Sequence, residues 1–514
     1  MAGDVAQAPV APKGSYQLGV SRPALELVDL PTPEEVFGVQ RIRAKELFKY
    51  AVGPSLIALG ISIGSGEWLL GPLNVGQFGF VGVGWVITAS ILLQTVYNVE
   101  IARYVVATGE VPVLAWGRAP PGFRLWVPFS IFVVFFAFIW GGWAAAAGQS
   151  LFAFIFQRVP DVEQAADLQT VRWLAIGLLG LVFVIAALSR IVSRGLELVN
   201  WVIIGFILAV LILMDLFLVP ASVWWEGIRG MFTIARPPEE MSPSAIGSIA
   251  GFAALASGLN WYVMNHYRDK GYGMGSRIGH IAGLRGTRKV VLASGVTFPD
   301  DEKNAALWKR WYRLLLVDMW GVFAVGAFLG MLLPTILMRT AADLVGEQPT
   351  EATVPTFVAE SLRQEYGTFL FFIALLMGTL ILFSTQLGIF EAMVRNFTDG
   401  VNGISPRFRR MVEGDPRRFY FPFMIVVLIV IGIVIHLQLP TGLITISANM
   451  SNFGALIFPF LLIYLNRKLP RAARPHWWQY VVLLIAAYFF GYFFINYVYG
   501  LFTGGDSLPL FFFL

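Results

Sequence analysis

Residues 52–79 read VGPSLIALGISIGSGEWLLGPLNVGQFG, an apolar run interrupted at its centre by Gly64, Ser65, Gly66 and Glu67. As a helix the run is long enough to cross about 30 Å of hydrocarbon. A plain spanning helix would place leucine or alanine at its middle. Two glycines, a serine and a carboxylate break it there instead, at the depth of the bilayer centre. Unwinding a helix in lipid frees backbone groups that hydrocarbon cannot satisfy, so the break must face a cavity, a ligand or other protein. Residues 245–267, AIGSIAGFAALASGLNWYVMNHY, carry a second interruption at Ser257, Gly258, Leu259 and Asn260. The strings SGEW and SGLNW echo one another five apolar blocks apart. Matched interruptions in two halves of a chain point to a secondary transporter built from inverted repeats, with its substrate between the breaks.

Further apolar blocks lie near residues 82–107, 126–156, 171–189, 196–219, 311–337, 368–396, 420–438, 441–465 and 478–502. With the two interrupted blocks they make about eleven spans on a 20-residue rule. The fold expected is an all-α membrane protein, spans 1–5 and 6–10 forming the repeats, helices 1 and 6 broken, and the eleventh added. Composition agrees: 57% of the 514 residues are hydrophobic and 13% charged, against about 25% charged in soluble domains. The absence of cysteine excludes disulfide scaffolds, thiolate metal sites and cysteine nucleophiles, and the four histidines are scattered. No P-loop or HExxH string is present, so ATP-driven transport and zinc proteolysis lack support. The chain reads as no enzyme and as needing no cofactor.

The net charge of +5 is a topology signal rather than a sign of nucleic-acid binding, because the basic residues sit between apolar blocks. Arg41, Arg43, Lys45 and Lys49 precede the first span, and every second connection after it is basic, ending with Arg467, Lys468, Arg471 and Arg474. The alternate connections carry Asp161, Glu163, Asp167, Asp343, Glu347, Glu351 and Glu360. The positive-inside rule then gives a cytoplasmic N-terminus and an external C-terminus. Residues 1–45 read as a cytosolic tail and 46–514 as the transmembrane domain, with a glycine- and arginine-rich cytoplasmic loop at about 267–308. The setting expected is a bacterial inner membrane.

GPSLIALGISIGSGEWLLGPLNVGQFGF at 53–80 and ILLQTVYNVEIARYVVATGE at 91–110 resemble the first two helices of the Nramp family of divalent-metal transporters. NFGALIFPFLLIYLNRKLP at 452–470 is similar to its tenth, and the resemblance runs from about residue 50 to 500. It implies the LeuT-type fold and a metal site at the two breaks. The motifs that hold the metal in that family, DPGN and MPH, are replaced here by Gly64, Ser65, Gly66 and Glu67 and by Ser257, Gly258 and Leu259. The carbonyl that serves the metal in the family falls on Ala254, and Met264 occupies the second histidine position, leaving His266 out of register.

The residues leave two readings open. In one, half-helix N-termini hold a small anion such as bicarbonate, or a small carboxylate, near Ser65, Gly66, Ser257 and Gly258. In the other, a hard divalent cation, magnesium or manganese, is carried by Glu67, Ser257, Asn260 and backbone carbonyls. Loss of the aspartate makes the small anion the expected cargo, with the divalent cation as the alternative; Glu67 opposes an anion unless it binds a co-transported H+ or Na+ in symport. Coupling or gating candidates are Glu67, Trp68, Trp261, Gln386 and Asn449, with Trp140 and Trp143 as further aromatics able to stack over a substrate. Asn98 and Glu100 lie near the inner half of span 2, where they could help pass protons, and the resemblance implies that Ser384, Thr385, Glu391, Ser451 and Asn452 face the centre.

Overall fold

The computed structural model describes residues 15–16, 24–40, 55, 58–59, 63–188, 192–255, 258–278, 294–413, 417–505 and 507–509. Among them, eight helices are long and apolar enough to cross a membrane. They are Gly84–Thr108 (span 2), Phe123–Phe156 (span 3), Ala165–Ala187 (span 4), Trp201–Leu218 (span 5), Glu302–Val345 (span 7), Thr368–Ile404 (span 8), Pro440–Asn466 (span 10) and Trp477–Thr503 (span 11). Arg418–Val434 is a shorter apolar helix (span 9). The two interrupted blocks supply spans 1 and 6, which completes the expected order.

Burial sorts these helices into an inner and an outer set. The apolar windows of spans 2 and 7 are 83% and 72% buried within the protein, whereas those of spans 4 and 5 are 33% buried. Phe132, Trp173, Leu213, Phe217, Ile429 and Ile485 therefore face outward on spans 3, 4, 5, 9 and 11. Such an apolar belt is stable only against hydrocarbon. The inner spans carry buried polar residues, among them Asn98 and Glu100 of span 2 and Gln386 and Glu391 of span 8, while span 5 of the outer set carries the buried Asp215. The chain is an integral membrane protein.

Span 6 consists of half-helix 6a, Pro243–Phe252, and half-helix 6b, Leu259–Asp269. Ser242 caps 6a, its side chain accepting from the Ala245 N–H, and Pro243 occupies the first turn, where its missing N–H costs nothing. Half-helix 6a packs on spans 2, 10 and 11, and 6b on spans 2 and 8. In span 1 the described part runs through a π-helical turn, Gly66–Leu70, into the helix Gly71–Phe78.

The connection after span 6 and the N-terminal tail are partly ordered against each other. Strand β1 (Ser15–Tyr16) pairs antiparallel with β2 (Leu25–Leu27), which pairs parallel with β3 (Val296–Thr297). Span 7 begins at Glu302, earlier than its apolar residues suggest, because Asp301 caps it, accepting from the Asn304 N–H at 2.7 Å. The tail docks on this first stretch. The Leu30 N–H donates to Asn304 Oδ1 at 2.8 Å, and the Trp311 indole donates to the Pro31 carbonyl at 2.9 Å. A hydrogen bond from Lys303 and another from Asn304 hold the Asp29 carboxyl below its usual range.

Candidate functional site

The first break is closed by its own carboxylate. Glu67 is fully buried, and its Oε2 accepts from the Gly64 backbone N–H at 3.0 Å. A glutamate reaching back three residues to a freed N–H is one half of a capping box, here formed at the bilayer centre. The Gly64 carbonyl accepts from the Trp68 N–H at 2.8 Å, and the Gly71 N–H reaches the Gly66 carbonyl, the five-residue spacing of a π turn. Glu67 packs against span 7, where a Cβ on Gly330 would lie 3.5 Å from Glu67 Cγ.

Gly66 is where the two broken helices meet. A Cβ built there would stand 1.8 Å from the Phe252 carbonyl oxygen, so the last carbonyl of 6a lies directly on the first break. The final carbonyls of a helix lack intrahelical donors and carry its negative dipole end. The Phe252 ring stacks on Phe138 of span 3 at 6.3 Å between centroids and tilts against Trp143 at 5.7 Å. The Trp143 indole donates to Ser65 Oγ at 2.7 Å. Gly64, Ser65, Gly66 and Glu67 thus sit in one buried cluster with Phe252, Phe138, Trp143 and Gly330.

The second break holds fewer of the expected contacts. Gly258 has φ +94, a backbone conformation that side chains oppose, and opens 6b. Ala254 is buried just past the end of 6a. Ser257 lies outside the described residues. Asn260 turns to span 2, its Nδ2 donating to Asn98 Oδ1 at 2.5 Å. The Trp261 indole donates to the Tyr97 hydroxyl at 3.1 Å, and its ring packs on Phe458 at 4.0 Å and Trp116 at 5.6 Å.

Some of the remaining candidates fasten neighbouring helices, and others bond within their own. Asn449 of span 10 donates to the Ser244 carbonyl of 6a at 2.9 Å, and Asn452 to the Gly247 carbonyl at 2.8 Å. Ser451 donates to the Ala448 carbonyl of its own helix, and Ser384 and Thr385 both donate to Ile381. Gln386 of span 8 accepts from the Ala144 N–H of span 3 at 3.2 Å, while its Nε2 has no partner among the described residues. Trp68 lies against Gly378 of span 8, its indole N–H also without a partner among the described residues. Trp140 is turned away, its indole donating to the Phe136 carbonyl of its own helix. Glu100 is paired with Arg103 at 2.9 Å and accepts from Asn466 at 3.1 Å.

Reading the sequence alone did not single out Phe252, Phe138 or Gly330. Nor did it find the buried ionic cluster of 6b and span 8, where Arg395 meets Asp269 at 2.5 Å and Glu391 at 3.8 Å. Apolar neighbours of a break carry no local signal, but Arg395 in an apolar block is a usable one.

The chain's fold is similar to that of a manganese transporter from Eremococcus coleocola, solved with an aromatic bis-isothiourea substituted compound. The TM-score is 0.55 at 16% identity, over 93% of this chain and 91% of that one. It is also similar to MhsT in complex with L-phenylalanine, with a TM-score of 0.55 at 14% identity, over 86% of this chain and 97% of that one. No family model and no curated protein matches the sequence. The architecture is the all-α LeuT type, its first and sixth helices broken.

Proposed function

We propose that the chain is a secondary active transporter that carries a small hard cation, magnesium by preference, at the junction of the two breaks. The observation that carries this reading is Glu67, a fully buried carboxylate bonded to the Gly64 N–H and adjoining the point where the Phe252 carbonyl meets Gly66. A carboxylate beside the carbonyl end of a half-helix is a cation-seeking arrangement. Bicarbonate or another small anion needs the N–H groups freed at the first break, and Glu67 takes the one at Gly64.

Among the described residues no group of three or more His, Cys, Asp or Glu can hold a metal, which argues for an ion that keeps much of its water. Magnesium dehydrates reluctantly and binds through one or two carboxylates. Manganese is less well served, because no thioether or imidazole stands beside Glu67 in the sequence pattern of the breaks. Solved proteins of this fold include a manganese transporter and MhsT in complex with L-phenylalanine, so the choice of a cation rests on Glu67 and not on the fold.

The test is uptake by proteoliposomes holding a magnesium-sensitive dye, run beside uptake of labelled bicarbonate. Magnesium entry without bicarbonate entry is the expected result, and the reverse overturns the reading. Glu67→Gln keeps an acceptor for the Gly64 N–H and removes the charge. It should cut magnesium uptake at least about tenfold, the scale of one lost ion contact, with expression and melting temperature little changed.

A further inference from the structure

A second group of oxygen atoms meets away from the breaks, drawn from three elements. Asp318 is the last residue of the helix Glu302–Asp318 and directly precedes a π turn, Met319–Ala324, within span 7. Its Oδ2 accepts from the Tyr267 hydroxyl of 6b at 2.6 Å and from the Ser55 backbone N–H of the first apolar block at 3.2 Å. All three residues are fully buried. Among the described residues neither Asp318 Oδ1 nor Ser55 Oγ has a partner at full hydrogen-bond geometry, although the Ser55 side chain is close enough to act on both Asp318 and Tyr267. Among the described residues no basic side chain pairs with Asp318. Lys270, the charged group facing it at longer range, is partly exposed at the end of 6b.

An ionised carboxylate within a bilayer, with no counter-charge, is costly. The two open oxygen atoms, Asp318 Oδ1 and Ser55 Oγ, belong to residues already in contact through the Ser55 N–H. π turns also tend to occur at functional positions.

We propose that Asp318, Ser55 and Tyr267 form a monovalent-cation site that takes Na+, separate from the cargo site. Asp318 Oδ1 and Ser55 Oγ supply the open lone pairs, the Tyr267 oxygen a third, and water completes the shell. Tyr267 lies eight residues along 6b from Leu259, about 12 Å at the helical rise, so both sites can be filled together. The bound ion bridges the first block, 6b and span 7, and its release frees them to separate. Its role as a coupling ion rests on the transporter reading, whereas the binding itself does not.

The full-length protein, purified in detergent, is melted at fixed pH and ionic strength while Na+ replaces choline. Na+ should raise the melting temperature saturably by about 2 °C or more, and K+ should not. Asp318→Asn keeps an acceptor for Tyr267 and should abolish the response. Ser55→Ala, which also serves if the first variant does not fold, should need about tenfold more Na+, the effect of losing one contact. Glu67→Gln should retain the response, which separates this site from the cargo site. Melting that ignores Na+, or responds only to acidification, or keeps its Na+ response in both Asp318→Asn and Ser55→Ala overturns the proposal.

Discussion

At Gly66 the side chain is excluded by a backbone atom, since any Cβ would overlap the Phe252 carbonyl. A backbone carbonyl ending a helix cannot swing away as a flexible side chain would, so 6a as a whole must shift. Gly66→Ala should therefore destabilise by about 1–3 kcal/mol, the range for overpacking a well-packed interior, and abolish uptake. Gly177 of span 4, with nothing within 4 Å of its Cβ position, is the control. Gly177→Ala should stay within about 0.5 kcal/mol of the parent. Equal melting temperatures for the two variants would mean that the breaks do not touch as described. The sequence marked Gly66 through its neighbour Glu67, because a carboxylate at mid-span is anomalous by itself. It could not mark Phe252 or Gly330, whose importance lies only in what they touch across the fold.

The elements were legible in proportion to how local their causes are. Both breaks could be read because glycine and polar residues interrupt an apolar run within a few positions. The start of span 7 could not, because Glu302–Asp318 has an exposed charged face and low hydropathy, and its order comes from the Asp301 cap and the docked tail. Asn260 was expected to line the site; its bond to Asn98, a partner remote in sequence, ties 6b to span 2 and could not be read from the chain alone. The hinge of span 6 rests on Gly258, whose φ of +94 no side chain favours and whose Cβ position lies 3.0 Å from Val134. Gly258→Ala should cost about 1–3 kcal/mol through backbone strain. The loss should appear as a lower melting temperature together with lost uptake, since 6b would be re-aimed. A fully active, equally stable Gly258→Ala would show that the break tolerates an ordinary conformation.

Across the whole molecule, the inner and outer helices divide by burial and the loops divide by charge, and the positive-inside rule turns the second division into an expected orientation. Arg407 lies just past span 8 on the face that also carries Arg467 and Arg471, while Gln348 lies between spans 7 and 8 on the opposite face with Glu347 and Glu351. Both Arg407 and Gln348 are exposed. Positive residues resist translocation, so the Arg407 face should be cytoplasmic. The chain has no cysteine, so a single introduced thiol reports its own position without background. In intact cells a membrane-impermeant maleimide should label Gln348→Cys and leave Arg407→Cys unmodified until the membrane is opened. Labelling in the reverse order would invert the protein in the bilayer. The tail docked on span 7 would then be external.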